Sequence, residues 1–230
     1  MRIGVIGDVH GNAPALAAVM HRVKHEVDAL WFLGDLVGYY GLVGACLDRL
    51  HDAPLIGVRG NHDQVLLDCL PSGSQPPAAY TAVYGTALAR TLAESGNRAG
   101  RLLEPLPVTL RTEVDGICFV LCHGAPWAPT EGRVYPDFAD WERFEEFGAD
   151  VFILGHTHYQ FKHDLGSFSV LNPGSVGQPR DMSGVAEYAL IETEPLQVRL
   201  EWISYDVTAA EQDALEHNPT LAYLTEVLHR

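Results

Sequence analysis

The sequence predicts an α/β fold in which two β-sheets pack together with helices outside. Two observations carry this. Between Arg2 and Val58, short apolar runs alternate with stretches of helical spacing, an order that favours a parallel sheet. After Val108, strand-like runs follow one another closely, which calls for a second sheet. The chain has 230 residues and 47% hydrophobic content, enough for one well-buried domain spanning 1–230.

In order, Arg2 to Ile6 reads as a buried strand. Asn12 to Lys24 is helical, with Leu16, Val19, Met20 and Val23 on one face, Asn12 as N-cap and Pro14 in the first turn. Ala29 to Leu33 is a strand, Gly44 to Leu50 a helix, and Leu55 to Val58 a third strand. Gln64 to Leu70 is a short helix, "PSGSQPPAA" a loop, and Tyr80 to Glu94 a helix. Val108 to Thr112 and Ile117 to Cys122 form a hairpin around Val114-Asp115-Gly116. Phe138 to Phe147 is a helix that turns Trp141, Phe144 and Phe147 inward. Val151 to Leu154, Ser167 to Leu171, Glu187 to Glu192 and Val198 to Ser204 are strands, and Thr208 to Arg230 is helical with a break near Pro219.

The formal net charge of -15 repels phosphate backbones and disfavours stable nucleic-acid binding. Simple solubility also accounts for it. Four cysteines occur without a CxxC, and Cys118 and Cys122 on one strand would lie roughly 13 Å apart, beyond disulfide reach. They read as small buried residues of a reduced, cytoplasmic protein. "MRIGVIGDVHG" is not expected to be a signal peptide, because Asp8 and His10 break its apolar run. No stretch is long enough to span a membrane.

The polar clusters share one location: each directly follows an apolar strand. "GDVHG" gives Asp8 and His10, "GDLVG" gives Asp35, "VRGNHD" gives Arg59, Asn61, His62 and Asp63, "HGAP" gives His123, and "GHTH" gives His156 and His158. Read alone, "VRGNHD" serves equally as a turn or as an acid–base site. In open α/β sheets, sites lie beyond the carboxyl ends of strands, so five strands deliver these groups to one rim. Gly7, Gly34, Gly60 and Gly155 precede the clusters, as tight strand exits require. Two Asp, one Asn and four His make an oxygen–nitrogen set suited to Mn²⁺, Fe²⁺ or Zn²⁺. That is too many ligands for one transition ion. Two ions about 3.5–4 Å apart clamp both oxygens of an in-line phosphoryl displacement and acidify a bridging water.

In order and separation, "GDVHG", "GDLVG", "GNHD", "HG" and "GHTH" resemble the calcineurin-like metallophosphoesterase superfamily. "NPGSVGQPRD" (Asn172 to Asp181) is similar to the tail motif of small bacterial and archaeal members, the YfcE-like and diadenosine tetraphosphatase-related phosphoesterases. The resemblance implies a four-layer α-β-β-α sandwich, the metallo-dependent phosphatase fold, with two mixed sheets flanked by helices. It implies two divalent ions, Mn²⁺ first, with Fe²⁺, Zn²⁺ or Ni²⁺ as alternatives. Asp8, His10 and His158 would hold the first, Asn61, His123 and His156 the second, and Asp35 would bridge. His62 would act as general acid or hydrogen-bond donor to the substrate phosphate, with Asp63 orienting it.

The expected reaction is hydrolysis of a small phosphate ester, a phosphodiester or nucleotide anhydride, by in-line attack of a metal-bridging hydroxide. The substrate is expected to be small and nucleotide-like. A serine/threonine protein phosphatase or phosphomonoesterase is the alternative within the class, and a non-catalytic protein-binding scaffold the alternative outside it. Arg180 is a phosphate-contact candidate or a surface partner of Asp181. Arg59 is a substrate-contact candidate or a structural residue. Tyr39, Trp127 and Tyr135 either line the cleft or cover core. His21, His25, His51, His163, His217 and His229 lie outside the motifs and read as solvent-facing or satisfied core residues.

Overall fold

A computed structural model describes residues 1–51, 53 and 55–230. Among the described residues, ten strands form two mixed five-stranded sheets. The first half of the chain supplies β1 (Arg2–Ile6), α1 (Ala13–Val23), β2 (Ala29–Phe32), α2 (Val43–Leu50), β3 (Leu55–Gly57) and α3 (Asn61–Cys69). Helices α4 (Ala78–Tyr84), α5 (Ala87–Glu94) and α6 (Gly96–Leu103) follow. Then come β4 (Thr109–Val114), β5 (Ile117–Cys122), β6 (Val151–Ile153), β7 (Gln160–Asp164), β8 (Ser169–Pro173), β9 (Val185–Thr193) and β10 (Leu196–Ser204). Helices α7 (Thr208–His217) and α8 (Tyr223–Glu226) end the chain.

The first sheet has the order β10-β9-β1-β2-β3, and the second β4-β5-β6-β8-β7. β1, β2 and β3 are mutually parallel, as are β5, β6 and β8. Their carboxyl ends therefore face one rim. Strand alternation divides the side chains between layers. Ile3, Val5, Trp31 and Leu33 meet Phe119, Leu121, Ile153 and Leu171 between the sheets. Ile6, Leu30 and Phe32 turn outward onto α1 and α2. The outer face of the second sheet, with Val120, Phe152 and Val170, is covered by Phe144, Val134 and their neighbours.

Local chemistry explains most boundaries. Asn12 caps α1, its side-chain oxygen accepting from the Ala15 N–H at 3.2 Å. Asp115 and Gly116, both at positive φ, make a two-residue hairpin loop between β4 and β5. The segment at Trp141–Phe147 is a 3₁₀ helix rather than an α-helix. Trp141, Phe144 and Phe147 recur every three residues, which is the 3₁₀ period, and only Phe144 is fully buried.

The expected single helix from Tyr80 to Glu94 is two, α4 and α5, broken at Gly85 with φ 83°. α6 and β7 are additional to the elements the sequence predicts, and the strand expected at Ser167 to Leu171 begins two residues later. The four cysteines are free; Cys118 is half-buried and the others buried. Among the described residues, no helix is long and apolar enough to cross a membrane.

Candidate metal centre

The rim collects every predicted ligand. Asp8 and His10 leave β1, Asp35 leaves β2, His123 leaves β5, and His156 and His158 leave β6. Asn61, His62 and Asp63, expected in a loop, instead form the first turn of α3 with Gly60 as N-cap. The turn needs no side chain at the cap. A Cβ on Gly60 would lie 2.0 Å from Asp35 Oδ1, so the glycine permits close approach of the two loops. The positive φ expected mainly of the glycines falls on the ligands themselves: Asp8 (51°), His10 (49°), Asp35 (55°), His156 (67°) and His158 (61°). Asp and His are among the few residue types that visit this region.

Two groups of ligand atoms form, Asp8–His10–His158 and Asp35–His123–His156, with His10–Asp35–His62 overlapping both. Asp8 Oδ1 lies 3.1 Å from His158 Nε2 and 3.6 Å from His10 Nε2. Asp35 Oδ2 lies 3.2 Å from His123 Nε2, 3.8 Å from His10 Nε2 and 4.0 Å from His62 Nε2. Asn61 Oδ1 is 3.1 Å from His123 Nε2.

Whether these residues fit cations is decided by where the ring protons go. His10, His123 and His158 each donate Nδ1–H to a backbone carbonyl, of Val37, Leu33 and Gln178 respectively. In the neutral rings the Nε2 lone pairs then point inward. The Nε2 atoms of His10 and His158 lie only 3.0 Å apart, and buried Asp8 Oδ1 has no hydrogen-bond donor aimed at it. Lone pairs converging at this range repel unless a cation lies among them, so the set fits divalent ions.

Without ions, the same closeness couples the charges of the buried carboxyls and histidines. Burial alone would raise the Asp8 and Asp35 carboxyls, but the histidines around them, chiefly His158 and His123, hold both well below the usual range. Burial opposes charge on His123, yet Asp35 and Asp8 push it up to about 10. Burial pushes His62 down to about 3 and His156 to about 4.

Asp63 does not orient the His62 ring. Its Oδ2 accepts from the N–H groups of Asp35 (2.7 Å) and Gly60 (3.0 Å), and its Oδ1 from Leu36 (2.9 Å) and Val37 (3.3 Å). Four donors consume the carboxylate, so it fixes the loop that carries Asp35. His62 Nδ1 meets the Tyr80 hydroxyl of α4 instead. Arg59 is also misplaced as a substrate contact: its guanidinium donates to the carbonyls of Glu104 and Leu106, at the end of α6.

A cleft of about 300 Å³ opens on the centre. Tyr39, Tyr135 and Arg180 line it, whereas Trp127 packs against Phe138 and Phe144 in the core. Arg180 faces the Tyr39 hydroxyl at 3.5 Å, and Asp181 accepts from the Gln160 N–H. Residues with no local sequence signal join the cleft: Arg133, whose Nε donates to His156 Nε2 at 3.3 Å, with Tyr84 and Tyr223. Arg90 braces this wall by a two-pronged ion pair to Asp213 of α7, which also accepts from the Gly41 N–H. A larger groove of about 550 Å³ beside α1 and α2 contains none of the clustered ligands.

The "NPGSVGQPRD" segment buttresses the β1 exit. Ser175 Oγ donates to the Asp8 carbonyl at 2.8 Å, and Val176 N–H donates to Gly7. Behind it lies Glu187, fully buried, accepting from the Ser175 N–H at 3.2 Å. Burial, then the neighbouring Asp181, pushes its carboxyl from 4.5 up to about 9. Between those values the folded chain binds a proton that the unfolded chain has released, so Glu187 lowers stability as pH rises through this window. Glu187→Gln removes that loss. Its folding stability is expected to match wild type near pH 5 and to exceed it increasingly toward pH 9, by on the order of a few kcal/mol at most. A pH-independent gap in thermal melts would contradict this.

Comparison with known proteins agrees with the site. Residues 1–195 match the model of the calcineurin-like phosphoesterase superfamily domain. An uncharacterized protein of Methanocaldococcus jannaschii is 27% identical, over 94% of this chain and 92% of that protein. Serine/threonine-protein phosphatase 1 of Salmonella typhimurium is 26% identical, over 76% of this chain and 87% of that one. The crystal structure of a metallophosphoesterase from Sphaerobacter thermophilus superposes with a TM-score of 0.78 at 27% identity, covering 99% of each chain. The chain belongs to the calcineurin-like phosphoesterase superfamily, and is a metal-dependent phosphoester hydrolase.

Proposed function

We propose that the chain is a dinuclear phosphoesterase acting on a small phosphorylated molecule, a phosphodiester or nucleotide anhydride. The observation that carries this is the placement of Asp35, whose carboxylate faces ligands of both groups: His10 on one side and His123 on the other. In this reading Asp8, His10 and His158 hold one ion, Asn61, His123 and His156 the other, and Asp35 bridges. Two divalent cations, Mn²⁺ first, supply Lewis-acid charge and an acidified water when bound. His62 Nε2 presents a hydrogen-bond donor to the phosphoryl or leaving oxygen. Arg180 and Arg133 supply positive charge in an otherwise acidic chain, matched to phosphate oxygens. Tyr39, Tyr84 and Tyr223 offer aromatic faces for a nucleobase. Tyr223, from α8, joins the same cleft, which supports a single catalytic unit over 1–230. Free, mostly buried cysteines suit a reducing cytoplasm.

The test is hydrolysis of bis-p-nitrophenyl phosphate against p-nitrophenyl phosphate, using metal-stripped protein with Mn²⁺ restored. Diester cleavage is expected to depend on Mn²⁺ and to fall by about 10²–10⁴-fold in His62→Ala. Monoester preference would move the substrate toward that of a phosphatase, the direction in which the Salmonella likeness points. No turnover of either with both metals bound would favour a protein-binding scaffold.

A further inference from the structure

His62 differs from His10, His123 and His158 in what its Nδ1 faces. Nδ1 of His10, His123 and His158 meets backbone carbonyls at 3.0, 2.8 and 2.9 Å. A carbonyl only accepts, so those rings keep a proton on Nδ1 and, when neutral, turn a lone pair inward from Nε2. His62 Nδ1 meets the Tyr80 hydroxyl at 2.5 Å. A hydroxyl can donate, so it permits the opposite tautomer.

We propose that Tyr80 is the positioning residue for His62: its O–H donates to Nδ1, holds the ring proton on Nε2, and so presents an N–H donor to a phosphoryl oxygen of the substrate. This rests on the reading of His62 as the donor to substrate. Among His10, His62, His123 and His158, the partner at Nδ1 thus distinguishes two kinds of ring. Rings held by carbonyls are built to ligate, and the ring held by a hydroxyl is built to donate.

The surroundings fit this role. Both rings are buried, His62 at 4% exposure and Tyr80 at 9%. They meet edge to face with centroids 5.3 Å apart, and Tyr84 packs on His62 at 4.6 Å. Both ring torsions of His62 are thereby constrained while its Nε2 faces the centre, 4.0 Å from Asp35 Oδ2. Burial pushes ionisation of the Tyr80 hydroxyl far upward. It therefore keeps its proton, and its contribution is a hydrogen bond without proton transfer. Tyr80 lies on α4, and no motif links it to "GNHD" in the sequence.

The experiment is ¹⁵N NMR of the imidazoles in the full chain loaded with diamagnetic Zn²⁺. His62 is expected to carry its proton on Nε2, and His10, His123 and His158 theirs on Nδ1. In Tyr80→Phe, His62 is expected to lose its tautomer preference while metal content stays at the wild-type level. With Mn²⁺, kcat of that variant toward a diester with an alkyl leaving group is expected to fall about 10–100-fold, with KM unchanged. The loss should be smaller for a p-nitrophenyl leaving group, whose oxygen needs less help. A wild-type His62 with its proton on Nδ1 would overturn the proposal. So would a Tyr80→Phe protein with unaltered tautomer and kcat. A wild type that shows the expected tautomers but hydrolyses nothing would sink the phosphoesterase reading and leave the Tyr80 assignment standing.

Discussion

Asp35→Asn is expected to abolish hydrolysis and to release metal from both groups rather than one. Asp35 is fully buried, and His123, His10 and His62 all face its Oδ2. Removing one charged member of a buried cluster costs about 3–5 kcal/mol. That corresponds to about 10²–10⁴-fold in metal affinity. The backbone should survive, because an amide oxygen at this position can still accept the His62 N–H that Asp35 Oδ1 receives at 2.9 Å. Metal content by inductively coupled plasma mass spectrometry, with turnover of the diester, measures both effects. An Asp35→Asn protein retaining two ions and full turnover would refute the bridging role. By contrast, Asn61→Ala touches only the group around His123 and should weaken one ion selectively.

The second large effect is on folding. Asp63→Ala strands four buried N–H groups, those of Asp35, Leu36, Val37 and Gly60. Each unsatisfied buried donor costs about 1–3 kcal/mol, so a loss of at least about 4 kcal/mol is expected. For a chain of this length that lowers the melting temperature by roughly 8–16 °C. Asp63→Asn should recover part of the loss, because its one carbonyl oxygen serves some of the donors. If Asp63→Ala melts with wild type yet loses turnover, Asp63 acts on His62 after all, and the loop-fixing role is wrong.

The ligands are legible in the sequence because one local pattern, an apolar strand followed by glycine and then Asp, Asn or His, recurs along the chain. Such repetition in sequence becomes proximity in space once the strands run parallel. Contacts made between distant segments leave no such trace. Tyr80 belongs to a helix whose own residues say nothing of His62, and Tyr223 reaches the cleft from the last helix. Adjacency in the sequence pairs Asp63 with His62, but helix geometry turns consecutive side chains apart, and the Asp63 carboxylate faces the β2 exit. Arg59 directly precedes the cluster and still points away from it, toward the end of α6. α6 is hard to see in the sequence because "GNRAGRLL" carries two glycines, poor helix formers. At Gly100 a Cβ would lie 2.7 Å from Leu70 Cδ1, so the end of the Leu70 side chain would have to shift. β7, "QFKHD", buries only Phe161 and gives little apolar signal.

The left-handed backbone at Asp8, His10, Asp35, His156 and His158 has an evolutionary consequence. Each such residue costs on the order of 1–3 kcal/mol relative to a relaxed conformation, a large amount against a net folding stability of about 5–15 kcal/mol. Glycine would relieve the strain at every one of these positions, and would delete a candidate ligand each time. The most accessible stabilising substitutions in this rim are therefore the ones that disarm it. A lineage that stopped needing the chemistry would drift toward a sturdier, inert chain. In this chain all five strained positions bear oxygen or nitrogen donors, so the strain sits where the chemistry would be.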